Sequence, residues 1–123
     1  MNRNELREQI VSLIYLRSMD GDYIKEDYEL ETLDTVDSVF LNVVAIDQII
    51  EKNLMNWTID RLNYVDKAII RFAVYEMKYT DTPFEIAINE AINLTKKYSN
   101  LDDDLAKSFN NKLLDNIKNN IYK

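Results

Sequence analysis

Apolar residues recur every three or four positions along most of the chain, which is the spacing of amphipathic α-helices. Residues 5–17 follow this spacing, and the pattern predicts a first helix that begins near Asn4 and ends near Gly21. From Thr35 to about Asn53 six apolar residues keep the same period, which predicts a second long helix. Residues 20–34 between these helices alternate acids with apolar side chains, so we predict a loop containing one short helix.

The pattern over residues 64–80 predicts a helix with apolar side chains around most of its circumference. Such a helix is usually surrounded by other helices, because no single narrow stripe could bury all of its apolar residues. Asn63 is suited to cap its N-terminus, and Asp66 at the third helical position could reach back as in a capping box.

Two further helices complete the pattern. Thr82, Pro83 and Glu85 supply an N-cap, a proline at the first helical position and an acid at the third, and they predict a helix through Tyr98. The last helix is predicted over residues 102–121. Its expected inward-facing residues are Leu105, Phe109, Leu113, Leu114, Ile117 and Ile121. Together the patterns predict an all-α fold of five substantial helices and one or two short ones, in a single domain over residues 1–123.

Composition narrows the function. The 123 residues include one Gly and one Pro, and neither Cys nor His. Without these two residue types the chain lacks a thiolate nucleophile, the commonest general base and the commonest metal ligand. We therefore expect a binding protein and not an enzyme, with no cofactor and no metal. Charged residues interrupt every apolar stretch, so we expect neither a signal peptide nor a membrane span, and hence a cytoplasmic protein.

The formal net charge of −7 is concentrated in one segment. Residues 20–37 contain eight acids and one Lys, whereas residues 38–123 contain twelve acids and eleven basic residues. Outside this acidic segment the chain is close to neutral and could carry a modest basic face.

Two adjoining blocks carry a family resemblance. Residues 56–77 read NWTIDRLNYVDKAIIRFAVYEM, and residues 81–97 read DTPFEIAINEAINLTKK. In order and spacing these blocks resemble the NusB family of transcription antitermination factors. The resemblance implies about seven helices in two small packed bundles, with no reaction and no cofactor. It also implies pairing with the ribosomal protein NusE, binding of boxA-type single-stranded RNA in ribosomal RNA transcripts, and entry into an antitermination complex with RNA polymerase. Some members of the family form homodimers.

The resemblance also implies site residues. Arg3 and Arg7 lie four apart on the first helix, where they could reach successive phosphates. The closing motif of the family is recognisable but altered here, since Lys112 replaces a glycine and the loop before the motif is about two residues longer, which shifts the register around Lys107 and Phe109. The full set of candidate RNA contacts is Arg3, Arg7, Arg71, Lys96, Lys97, Tyr98, Lys107 and Phe109. The candidate NusE contacts are Tyr15 and Asp66.

Structural interpretations compete with several of these assignments. The lysines could be solvated helix ends, Phe109 could belong to the core, and Trp57 could close the joint between the bundles. Asp102, Asp103 and Asp104 are better explained as a helix N-terminus than as metal ligands.

Two alternative functions also stay open. The fold could be a protein-interaction module that has weak RNA binding or none, because the arginine content is low. It could instead assist a separate ribosomal RNA cytosine methyltransferase, since the same fold occurs as the N-terminal domain of such an enzyme.

Overall fold

A computed structural model describes residues 1–55, 58–99 and 104–122, and these ranges form six α-helices and two 3₁₀ turns without a strand. The prediction of an all-α fold is therefore confirmed. The two turns lie at Lys25–Asp27 and Ile59–Arg61. The helices are α1 (Arg3–Ser18), α2 (Leu30–Leu41), α3 (Val43–Lys52), α4 (Tyr64–Tyr79), α5 (Phe84–Tyr98) and α6 (Leu105–Asn120).

Helix α4 is the centre of the fold. It contacts all of the other five α-helices in the described part of the chain, which confirms the prediction that it is surrounded. Its fully buried side chains include Ala68, Ile70 and Val74. The predicted N-cap is also present, because the Asn63 side-chain oxygen accepts a hydrogen bond of 2.7 Å from the backbone N–H of Asp66.

The helices form two packed groups. Helix α2 packs against α1 and α3, helix α5 packs against α6, and α4 contacts members of both groups. This arrangement agrees with the expected pair of small bundles. Within the described residues, no helix has the length and apolar character needed to cross a membrane.

The predicted long helix from Thr35 to Asn53 is wrong in two respects. Its first part begins earlier, at Leu30, and it is interrupted at Asn42, which separates α2 from α3. The Asn42 side-chain amide donates a 2.8 Å hydrogen bond to the carbonyl of Ser38, and the Asn42 backbone lies at φ −105° and ψ 11°. Because asparagine offers the backbone such local bonds, it ends helices that hydrophobic periodicity alone would continue.

Helix α1 ends at Ser18, close to the predicted position, and the residues that follow form a Schellman motif. The N–H of Gly21 bonds the carbonyl of Leu16 at 2.7 Å, and the N–H of Asp20 bonds that of Arg17 at 3.2 Å. Asp20 has a positive φ of 54°, which is the left-handed position usually held by glycine in this motif.

The last two helices differ in detail from their predictions. Helix α5 begins at Phe84, with Pro83 and not Thr82 as its capping residue. The predicted start of the last helix at Asp102, like Trp57, lies outside the described residues. The predicted inward orientation is wrong for Leu105, which is 67% exposed, and for Phe109, which is 37% exposed. The other four predicted positions, Leu113, Leu114, Ile117 and Ile121, are buried.

Candidate functional site

The N-terminal half of α1 meets the C-terminal half of α5 at the surface. There the Lys97 ammonium donates a 2.6 Å hydrogen bond to Oε1 of Glu8. This hydrogen bond to Glu8 raises the pKa of Lys97 above its ordinary value. Beside the pair is a shallow hollow of about 120 Å³, which we call the lysine hollow. The residues that line it include Asn4, Arg7, Glu8, Glu90, Asn93 and Lys97.

A second depression adjoins the first. It is a groove of about 300 Å³ between α1, the start of α4 and the end of α5, and we call it the tyrosine groove. Its lining is mostly apolar and includes Glu8, Val11, Tyr15, Val65 and Tyr98. The structure thus brings together Tyr15, a candidate NusE contact, and Tyr98, a candidate RNA contact.

Three candidate RNA residues are solvent-exposed at the end of α5. Lys96, Lys97 and Tyr98 occupy its last turn, and the Lys97 ammonium lies 5.3 Å from the centre of the Tyr98 ring. An exposed aromatic ring beside ammonium groups can stack on an unpaired base while the cations bind phosphate.

Arg3 is exposed at the start of α1 and pairs with Glu31 of α2 at 3.1 Å. Arg7, four residues later, does not share this exposure. Its guanidinium is buried and forms a bidentate pair with Glu76 of α4, with bonds of 3.2 and 3.0 Å. These bonds raise the pKa of Arg7 above its ordinary value. The interpretation of Arg3 and Arg7 as two exposed phosphate contacts is therefore corrected: in this conformation Arg7 joins α1 to α4.

Arg71 has a comparable internal role. Its guanidinium binds both carboxylate oxygens of Asp47 at 2.9 and 2.8 Å, and it also donates to the hydroxyl of Ser18. Its side chain is 12% exposed. Arg71 therefore connects α4 to α3 and α1, and this geometry argues against a direct phosphate contact.

Asp66 is also buried, at 8% exposure. Its carboxylate accepts hydrogen bonds from the Ser99 hydroxyl at 2.5 Å and from the Asn110 amide at 3.1 Å. The Asn110 amide donates in addition to the hydroxyl of Thr95. Asp66 thus holds the start of α4 to the end of α5 and to α6, close to the tyrosine groove but not as an exposed acid.

Phe109 and Lys107 belong to another part of the surface, on α6. Phe109 lines a hollow of about 170 Å³ with Leu54, Met55 and Lys112, and Lys107 is half-buried. This hollow shares no lining residue with the lysine hollow or the tyrosine groove. The candidate RNA residues are therefore divided between two surfaces.

The residues that the sequence analysis missed are the acids that pair with the candidate cations. Glu8, Glu31, Asp47 and Glu76 lie 24 to 89 positions from their partners along the chain. No local motif marks them, because these pairs form only when distant helices pack together.

The sequence model that describes the NusB family matches residues 4–119 of the chain. The chain belongs to the NusB family. Two bacterial relatives named transcription antitermination protein NusB match it over nearly their whole lengths. The protein from Listeria innocua is 40% identical over 95% of the chain and 96% of the relative. The protein from Pediococcus pentosaceus is 36% identical over 95% of the chain and 97% of the relative.

Solved structures of NusB proteins share the fold. NusB of T. maritima superposes with a TM-score of 0.82 at 25% identity, covering 98% of the chain and 92% of the T. maritima protein. A structure of the antitermination factors NusB and NusE in complex with double-stranded RNA gives a TM-score of 0.79 at 24% identity. The match covers 95% of this chain and 96% of the matched chain in that structure. At that identity the second likeness concerns the NusB fold alone.

Proposed function

We propose that this NusB family member is a transcription antitermination protein that binds boxA-type RNA together with the ribosomal protein NusE. The observation that carries the proposal is the match over nearly the full chain to relatives named transcription antitermination proteins. NusE and RNA are the partners present in one structure that shares the fold. The protein then acts on ribosomal RNA transcripts beside RNA polymerase, in the bacterial cytoplasm.

The exposed end of α5 is the proposed RNA surface. Lys96 and Lys97 bind phosphates there, Tyr98 stacks on an unpaired base, and Arg3 extends the basic surface along α1. Lys107 and Phe109 on α6 contribute to a second contact region if the RNA is long enough to reach it. Arg7 and Arg71 support this surface by fixing α1 against α4.

The tyrosine groove is the proposed NusE site. Its lining includes the aromatic side chain of Tyr15 and the apolar side chains of Val11 and Val65, and Tyr98 lines it where it adjoins the RNA surface. Such a concave apolar surface suits the anchor residues of a protein partner. Asp66 acts here by holding α4, α5 and α6 in place, while the acidic residues 20–37 attract a basic ribosomal protein over a longer range.

The test is RNA binding measured with and without NusE. Fluorescence anisotropy of a labelled boxA strand at low salt gives the Kd for the wild type and for a double variant, Lys96→Gln with Lys97→Gln. We expect NusE to tighten RNA binding and the double variant to weaken it about tenfold or more. Lys52→Gln is the matched control, because Lys52 is exposed at the end of α3 beside a different hollow. Absence of RNA binding at low salt in the presence of NusE would contradict the proposal.

A second candidate function is a NusB-fold protein module that binds NusE without RNA. The observation that favours it is the engagement of Arg3, Arg7, Arg71 and Lys97 in ion pairs with acids of the same chain. NusE binding by calorimetry together with no RNA binding at any salt concentration would support this candidate over the first.

A further inference from the structure

Glu8 lies between the two surface depressions. It lines both the lysine hollow and the tyrosine groove, so a ligand in either one approaches the same carboxylate. It is also the acid bound to Lys97, at 2.6 Å. In the free protein, Lys97 is therefore already paired with the carboxylate of Glu8 when an RNA phosphate approaches it.

Lys97 can readily exchange the Glu8 carboxylate for another anion. Their side chains are 32% and 58% exposed, and ion pairs with this much solvent contact contribute little to stability. A second carboxylate, that of Glu90, lines the same hollow. The phosphate thus competes with Glu8 for Lys97 and is repelled by two acids, which lowers RNA affinity in the absence of a partner.

We propose that Glu8 couples partner binding to RNA binding. A basic protein that docks in the tyrosine groove places a cation against Glu8, Lys97 is released, and the freed ammonium binds an RNA phosphate. This inference rests on the proposed function, and it adds the residue through which NusE changes RNA affinity.

The coupling must be reciprocal. If NusE raises RNA affinity by a given factor through Glu8, RNA raises NusE affinity by the same factor, because both ligands bias one equilibrium between a closed and an open ion pair. Neutralising Glu8 opens the pair permanently. It should therefore tighten RNA binding without the partner and remove part of the effect of the partner.

The experiment measures the Kd of a boxA RNA with and without saturating NusE for four proteins. These are the wild type, Glu8→Gln, Lys97→Gln and the double variant. For Glu8→Gln we expect RNA binding without NusE to tighten about two- to fivefold, and the enhancement by NusE to fall by the same factor. In the Lys97→Gln background, Glu8→Gln should tighten RNA binding by less than about twofold, since the cation that Glu8 masks is gone and only the direct repulsion between Glu8 and the phosphate is removed.

Glu85→Gln is the matched control. It makes the same change of charge on α5, twelve residues before Lys97, which is about 18 Å along a helix and beyond the screening length at physiological salt. RNA affinity and the NusE enhancement should both stay within about twofold of the wild type. Thermal unfolding of each variant verifies that the fold is retained.

Three outcomes would overturn the inference. Unchanged RNA affinity of Glu8→Gln without NusE would show that Glu8 does not mask Lys97. Equal tightening in the Lys97→Gln background would show a general charge effect. An unchanged NusE enhancement would show that the partner acts elsewhere. Each of these requires that the wild type binds RNA, whereas a wild type that fails to bind RNA even with NusE contradicts the proposed function itself.

Discussion

Single arginines in this protein have opposite roles that their sequence positions do not distinguish. Arg3 and Arg7 are one helical turn apart, yet Arg3 is exposed and Arg7 is buried against Glu76. The partner of Arg7 lies 69 positions away along the chain. Helical periodicity could therefore indicate on which face of α1 Arg7 lies, but not which acid binds its guanidinium. The same reason explains why Arg71 was expected to contact RNA and is found bound to Asp47.

Replacing Arg7 by Met should strongly destabilise the protein. The change leaves the Glu76 carboxylate buried without its cation, and breaking a buried pair in this way costs about 3–5 kcal/mol. Urea unfolding followed by circular dichroism measures the loss. Arg3→Met, which breaks an exposed pair, should cost at most about 1 kcal/mol. Equal losses for the two variants would contradict the assignment of Arg7 to the interior.

Asp66→Ala should lower the free energy of unfolding by about 1–3 kcal/mol, because the Ser99 hydroxyl and the Asn110 amide lose a buried acceptor. Denaturation of the isolated protein, without NusE, gives this value. Asp66→Asn keeps one acceptor oxygen and should lose less. If Asp66→Ala unfolded like the wild type and lost only NusE binding, Asp66 would be a direct contact and not a positioning residue.

At the scale of helices, prediction succeeded where local signals agreed. Asn63 and the apolar pattern gave the start of α4 correctly, and the start signals around Pro83 located α5 to within one residue or two. Prediction failed at Asn42, because the apolar period continues through the break, where the side-chain amide of Asn42 bonds the carbonyl of Ser38. It also failed for Phe109, whose inward period does not match the surface position that the packing of α6 gives it.

The end of α1 provides a test of backbone strain. Asp20→Gly should stabilise the protein by about 0.5–1 kcal/mol, because glycine adopts the left-handed conformation at little steric cost. Gly21→Ala should have the opposite effect, since its Cβ would lie 3.0 Å from Cδ2 of Leu16 and 3.2 Å from the Leu16 carbonyl oxygen. Thermal melting of both variants checks the two signs. A lower melting temperature for Asp20→Gly would contradict this account of the motif.

At the scale of the whole molecule, the exposed charge depends on which residues folding pairs together as well as on where charged residues lie in the sequence. The acidic segment 20–37 could be recognised from the sequence, but its contacts could not. Glu31 pairs with Arg3 and Asp37 pairs with Arg17, so the acids of α2 neutralise both ends of α1. The basic surface that remains is smaller than the number of basic residues suggests.

This small basic surface predicts a shallow salt dependence of RNA binding. With Arg3, Lys96 and Lys97 as the phosphate contacts, log K against log salt should have a slope of about −2, from roughly 0.7 per contact on a single strand. Anisotropy titrations between low and moderate salt measure the slope. The Lys96→Gln and Lys97→Gln double variant should reduce it to about −0.7. A wild-type slope of about −3.5 would instead correspond to five phosphate contacts, as expected if Arg7 and Arg71 left their acids and bound RNA as well.

The central position of α4 has a consequence for dynamics. A helix in contact with all five other helices of the described chain exposes its amides mainly when the whole molecule unfolds, so its hydrogen exchange reports global stability. A ligand that binds the folded state slows this exchange by a factor set by its concentration and Kd. The deepest amides of α4 should therefore register RNA or NusE binding, although both ligands dock on the outer surface of the protein.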